Sequence, residues 1–234
     1  INATPVLTGA ANRLQLPGID VLGGPFGWQK GAGDWTGVSA AIARQDPVQV
    51  IQEAGTTLWQ QHLPPEHSFQ FGDAEQIAVP PKARVWISPQ LRLFDSNTTI
   101  PEVQWHPQVL WVGIGCERGT SRQLIESAIQ QVCQAHHLAE AAIAGVATLD
   151  LKADEVGLVE LCRDRHWPLR CFAAEQLKSV PVPTPSEVVA AEVGTPSVAE
   201  AAALVGAGWT PAQADAISYE RANKFSELQV NLEQ

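Results

Sequence analysis

Residues Val109–Ser121 read VLWVGIGCERGTS. The apolar run Val109–Ile114 predicts a buried strand, and a glycine-rich loop follows it. A helix is predicted over Ser121–His137, because Leu124, Ile125, Ala128, Ile129, Val132 and Cys133 fall on one face at helical spacing. Thr120 with Gln123, or Ser121 alone, can cap its N-terminus. Strand, glycine loop and helix make an apparatus for holding an anion. The loop fails two nucleotide tests, however. A P-loop needs Gly-Lys-Ser/Thr after four residues, and here Thr120 stands where Lys would be. The third glycine of GxGxxG is replaced by Arg118. What remains is free N–H groups at a helix N-terminus beside the forked donor of Arg118. The alternative is a tight glycine turn leading into a capped helix.

Downstream of this stretch the βα alternation repeats. Strands are predicted at Ile143–Leu151 and Pro168–Phe172. Helices are predicted at Glu155–Arg165, Ala173–Leu177, Ser186–Val193 and Ser197–Val205. Ser197-x-x-Glu200 has the pattern of a capping box. Repeated βα units predict a parallel-type sheet with helices on both faces and ligands at the carboxyl ends of its strands. That brings three loops together: Gly115–Thr120, Asp150–Glu155 and Phe172–Glu175.

Upstream the pattern is less regular. Residues 1 to about 100 are rich in Gly, Pro and Trp. Short strands are predicted at Thr4–Thr8, Ile19–Leu22, Val48–Ile51 and Ala83–Ser88, with a turn at Asn12–Gly18. A helix is predicted at Val38–Arg44, stopping before Pro47, and a loop over Gly23–Gly37. Asp95–Pro107, polar and bounded by proline, reads as the linker. The fold class is therefore α/β, with a small α/β domain over residues 1–104 and a C-terminal α/β domain over 105–234.

Composition narrows the function. The chain has 234 residues, 45% of them hydrophobic, and a formal net charge of −10. No run of 18 apolar residues is present, so no membrane span is predicted. The acidic balance argues against nucleic-acid binding, which needs a basic stripe. A polyanionic ligand would need local Arg, Lys or N–H groups against this field. The four cysteines form no CxxC or zinc-spaced set, so no metal site is expected and reduced, cytoplasmic thiols are. His136 and His137 adjoin at a helix end, and adjacent residues do not share a helix face. Methionine is absent from a chain that starts at Ile1, which points to an internal fragment or lost residues.

Two groups carry candidate chemistry. In TLDLKADE (Thr148–Glu155), Asp150 and Lys152 stand two apart on one side of a predicted strand end, and Glu155 opens the next helix. Acid, amine and acid at a sheet's carboxyl edge can hold or activate water; surface ion pairing with capping by Asp154 is the alternative. Cys116 is a thiolate candidate at a helix N-terminus or a small buried hydrophobe. The eight tryptophans are scattered and read as core or interface residues.

The motifs in order resemble a known family. VGIGCERGTS (Val112–Ser121), ATLDLKADEVGLVEL (Ala147–Leu161), PLRCFAAEQL (Pro168–Leu177) and SVAEAAAL (Ser197–Leu204) are together similar to the C-terminal domain of the cobalt-precorrin-5A hydrolase family. They are also similar to a stand-alone protein of the aerobic cobalamin pathway. ATPVLTGAANRLQLPGIDVLGG resembles the end of the family's N-terminal domain, and the segment from Trp28 to Ser88 its middle domain. Most of the N-terminal domain has no counterpart, and Ile217–Gln234 fits the family's closing strands poorly.

The resemblance implies cobalamin biosynthesis: opening of the ring A δ-lactone of cobalt-precorrin-5A, with acetaldehyde released and cobalt-precorrin-5B formed. Cobalt would belong to the substrate, and no cofactor is implied. Glu155 or Asp150 is then the candidate general base, and Lys152 would steady developing negative charge. Gly115, Cys116, Arg118, Gly119, Thr120 and Ser121, with Ser197 and Glu200, are the candidate substrate-binding residues. The expected partner is the tetrapyrrole substrate, together with a precorrin methyltransferase, fused or associated. Two other readings stay open: a non-catalytic corrinoid-binding or scaffold domain, and an α/β protein for an ordinary phosphometabolite.

Overall fold

Alternate residues of VQVIQ, ARVWI and EVQWH turn toward one core, and these three segments form the parallel centre of a first sheet. The structure, a computed structural model, describes residues 18–72, 77, 79–94, 99–182 and 197–208, and the backbone of 229–232. The first sheet contains β1 (Gln29–Gly33), β2 (Val48–Gln52), β3 (Phe69–Phe71), β4 (Ala83–Ile87) and β5 (Glu102–His106). Their order is β1-β5-β4-β2-β3, with only β1 antiparallel to its neighbour. Helix α1 (Trp35–Ala43) is capped by Asp34, whose side chain accepts the Gly37 N–H at 2.8 Å. Its buried Val38, Ala41 and Ile42 join a core with Val48, Val50, Val85, Ile87, Val103 and Trp105.

Most of the intervening residues of the same strands are polar. Arg84 Nε donates to Gln49 Oε1 at 2.8 Å, and its guanidinium pairs with Glu102. Trp86 Nε1 donates to Glu102 Oε2 at 3.2 Å. Parallel strands are more often apolar on both faces, so mutual pairing is what makes this burial tolerable.

Several expectations for this half are corrected. The linker predicted at Asp95–Pro107 contains β5, every residue of which is buried. Prolines at 101 and 107 and three polar side chains hid a period-two pattern. Ile19–Leu22 is a series of turns rather than a strand, with Ile19 and Leu22 in the core. The loop predicted at Gly23–Gly37 contains β1 and the start of α1. Gly33 sits in the irregular part of the β1–β5 pairing with φ +133°, where an added Cβ would lie 2.2 Å from Glu102 O. β3 was not anticipated. Thr4–Thr8, Asn12–Pro17 and Ser186–Val193 lie outside the described residues.

The chain divides into units 1–108 and 109–234. Trp105 and His106, expected to open the second domain, close β5 of the first.

In the second unit four parallel strands lie in the order β8-β7-β6-β9: β6 (Leu110–Cys116), β7 (Ile143–Leu149), β8 (Leu169–Phe172) and β9 (Gln229–Leu232). β9 falls within the terminal stretch that fitted the family pattern poorly. The helices are α2 (Arg122–Ala135), α3 (Val156–Asp164), α4 (Ala174–Lys178) and α5 (Val198–Gly206). On one face Leu110, Val112 and Ile114 pack with Ile125, Ile129 and Cys133 of α2 and Leu158 and Leu161 of α3. On the other face Ala147 and Leu149 pack with Leu177, Ala201 and Ala202. This is the α/β sheet with helices on both faces.

Gly113 explains how α5 sits. A Cβ there would lie 1.8 Å from Ala199 O, so only glycine lets the helix come this close. At its other end Gly206 lies against Trp111 and Ala147. α5 therefore runs antiparallel to β6, with its N-terminus toward the carboxyl edge of the sheet.

Candidate functional site

The carboxyl edge of the second sheet brings together the loop after β6 and the turn after β7. Ser121 is the N-cap of α2, and its Oγ accepts the Leu124 N–H at 3.3 Å. This decides between the two capping choices, since Thr120 Oγ1 instead donates to Glu117 O at 2.8 Å. Gly119 takes φ +80°, a left-handed turn that suits glycine. That N–H donates to Glu155 Oε1 at 2.9 Å.

Glu155 is buried, with 4% exposure, at the N-cap position of α3, where its side chain makes no capping bond. It reaches across to the β6 loop instead. Gly157 allows the approach, because a Cβ there would lie 2.4 Å from Thr120 O. Arg118 closes the same contact from outside. Its Nη1 donates to Asp154 Oδ1 and its Nη2 to Leu151 O, both at 2.5 Å, and Nη1 is 3.9 Å from Glu155 Oε2. Hydrogen bonding to Arg118 holds the Asp154 carboxyl below its ordinary range, and Asp154 raises the guanidinium in return. Both side chains are exposed, 58% and 78%, so solvent screens the pair and it adds little to stability.

The strand predicted at Ile143–Leu151 stops at Leu149, and Asp150–Lys152 is a 3-10 turn. Two residues apart on such a turn, Asp150 and Lys152 do not share a face, contrary to the strand-based expectation. Asp150 is exposed, while Lys152 is half-buried. Burial pushes the Cys116 thiol up, and the charge of Lys152 acts against this. Gly115 and Cys116 are the last residues of the β6 ladder, paired with β9. Burial also raises the Cys171 thiol, with Asp150 adding to it, and β8 packs against the Asp150–Lys152 turn.

Ser197 and Glu200 are both buried at the start of α5, where Ser197 Oγ accepts the Glu200 N–H at 3.4 Å. Ser197 caps a helix whose N-terminus lies toward the same edge of the sheet, and Glu200 stands in its first turn. Among the described residues no three His, Cys, Asp or Glu side chains cluster as metal ligands, and no helix is long and apolar enough to cross a membrane.

Comparisons with known proteins cover both units. The family model described as Cobalamin biosynthesis central region matches residues 17–107, and the one described as Cobalamin synthesis G C-terminus matches residues 110–225. The chain belongs to the cobalamin synthesis G family. It is 29% identical over 213 residues to the cobalt-precorrin-5A hydrolase of Priestia megaterium, covering 89% of this chain and 57% of that protein. It is 33% identical over 101 residues to protein CobE of Sinorhizobium sp, covering 42% of this chain and 66% of that protein. A crystal structure of CobE, described as a protein from the cobalamin (vitamin B12) biosynthetic pathway, is 35% identical over 42% of this chain and 70% of its own, with a TM-score of 0.39. The chain thus spans little more than half the length of the curated hydrolase it matches. In family terms, the first unit is the central region and the second the C-terminal domain.

Sequence reasoning picked the residues of the Gly119–Glu155 contact but not their pairing. It also missed Asp154 as the partner of Arg118, having assigned it to helix capping. No local signal could find these pairs, because the partners lie 36 residues apart.

Proposed function

We propose that this chain supplies the central and C-terminal parts of a cobalt-precorrin-5A hydrolase. The observation that carries the reading is that two cobalamin-family models tile the chain in order, while one hydrolase relative aligns over 89% of it. The reaction adds water to the ring A δ-lactone carbonyl, and carbon–carbon cleavage then releases acetaldehyde. The product is cobalt-precorrin-5B, and cobalt enters with the substrate.

The geometry favours a division of labour between the two acids. A general base must reach the water it activates. Asp150 is exposed at the carboxyl edge, whereas Glu155 is buried and already bound to the Gly119 N–H. Asp150 is therefore the proposed base and Glu155 the positioning residue that sets the β6 loop. Lys152, half-buried on the same turn, would steady negative charge as the carbonyl is attacked. Arg118 can trade Asp154 for a substrate carboxylate, which offsets the unfavourable net charge of −10. A precorrin methyltransferase remains the proposed protein partner.

The test is acetaldehyde release from cobalt-precorrin-5A by the full-length protein containing this chain. Asp150→Asn is expected to stop release while substrate still binds. Undiminished release by Asp150→Asn removes it as the base. Release by neither the full-length protein nor its variants removes the hydrolase reading.

A further inference from the structure

The first unit has a second group of converging side chains, at the carboxyl ends of β2 and β4. These strands are adjacent, yet β2 leads outward to β3 while β4 leads the other way to β5. Ligands of open parallel sheets bind where connections diverge in this manner. Glu53 follows β2 and Ser88 follows β4, so both stand at the divergence. Ser88 Oγ donates to Glu53 Oε2. Arg92 Nη2 donates to Glu53 Oε1 at 2.7 Å, and the guanidinium carbon lies 3.6 Å from the centroid of the Trp86 ring.

The main chain leading to Arg92 is pinned as well. Gln90 N donates to Ser88 Oγ at 3.0 Å, and Gln104 Nε2 donates to Gln90 O at 2.8 Å. Arg92 is thus fixed by its face on Trp86 and by one edge on Glu53, the way a guanidinium is prepared for a planar anion. Its donors are far from spent. Nε is buried with no hydrogen-bond acceptor, and no described residue accepts from Nη1. A buried donor left unmet is costly, and Nη1 is free of any described protein partner. On either side, Leu91 and Leu93 are 47% and 92% exposed. Charge and apolar surface alternate along one short segment.

We propose that Arg92 anchors a carboxylate-binding subsite in the first unit, taking a side-arm carboxylate of a small polycarboxylated ligand whose apolar body rests on Leu91 and Leu93. The identification of that ligand as a tetrapyrrole rests on the function proposed above; the carboxylate chemistry does not. Glu53 then serves as the internal stand-in that holds Arg92 ready until a ligand carboxylate replaces it.

The test titrates the whole chain, by calorimetry, with uroporphyrin I, a flat tetrapyrrole bearing carboxylates on every pyrrole, and with tricarballylate, a small tricarboxylate without a ring. Arg92→Gln is expected to weaken binding about tenfold, and Arg92→Lys less, since lysine keeps charge but not the fork. Glu53→Gln is expected to tighten binding, because it removes the competing carboxylate; a merely structural Glu53 would weaken it. Circular dichroism confirms that each variant is folded. Uroporphyrin I affinity unchanged by Arg92→Gln overturns the subsite and leaves the tetrapyrrole reading standing. Arg92-dependent binding of tricarballylate alone upholds the subsite and overturns the tetrapyrrole reading. No binding of either probe by the unaltered chain overturns the subsite.

Discussion

The Gly119 main-chain N–H donates to the buried carboxylate of Glu155 at 2.9 Å, tying the loop after β6 to the start of α3. A hydrogen bond of this kind contributes about 0.5–1.5 kcal/mol net. Glu155→Ala removes it and leaves a void at a buried position. Glu155→Gln keeps an acceptor oxygen in the same place. Thermal unfolding should therefore show Glu155→Ala clearly destabilised and Glu155→Gln close to the parent. Equal loss in both would mean that the charge rather than the acceptor geometry holds the loop.

Two glycines of VGIGCERGTS separate by mechanism. Gly113→Ala drives a methyl group into Ala199 O, 1.8 Å away, and the backbone of α5 must shift. Overpacking of this kind costs about 3 kcal/mol or more when the obstacle is backbone. Gly119→Ala meets no heavy atom within 4 Å, so only its φ of +80° is strained. That conformational penalty is about 1–2 kcal/mol. Urea denaturation should rank Gly113→Ala well below Gly119→Ala. The reverse order would place α5 away from β6.

These cases show what was legible beforehand. The second unit could be read because its burial follows local periods: Ile125, Ile129 and Cys133 at intervals of four, and apolar strands between. The first unit could not, because β5 alternates apolar residues with Glu102, Gln104 and His106, which become buriable only through distant partners. The glycine loop was visible as a loop, but the reason for Gly113 was not. Ala199 lies far along the chain and carries no sequence mark of the contact. In the site, the residue types were legible. Which acid is buried and which exposed was set by the tertiary approach of α3 at Gly157.

His106 makes stability depend on pH. It is buried in β5, its Nδ1 lies 2.9 Å from Ser88 O, and burial lowers its pKa from 6.5. The unfolded chain takes up this proton at a higher pH than the folded chain does. Stability from His106 is therefore complete above about pH 6.5 and is lost as pH falls below it. Melting curves between pH 5 and 8 (roughly the histidine range) should show a falling midpoint on the acid side. His106→Asn, which retains a donor for Ser88 O, should flatten that slope. An equally steep slope in the variant would assign the effect to other groups.

Thiol chemistry gives the last distinction. Cys133 and Cys162 are buried in the second unit, and burial pushes both thiols up to about 12. Cys116 and Cys171 are only partly buried. At pH 8 a thiol of pKa near 12 has roughly a thousandth of the thiolate of an ordinary cysteine, and thiolate is the species that alkylates. Brief iodoacetamide treatment of the folded chain should label Cys116 and Cys171 and spare Cys133 and Cys162. Mass spectrometry of the digested protein reads this directly, and urea should make all four equivalent. Rapid labelling of Cys133 in the folded chain would show that the contact of α2 with the sheet opens far more readily than its buried Ile125 and Ile129 imply.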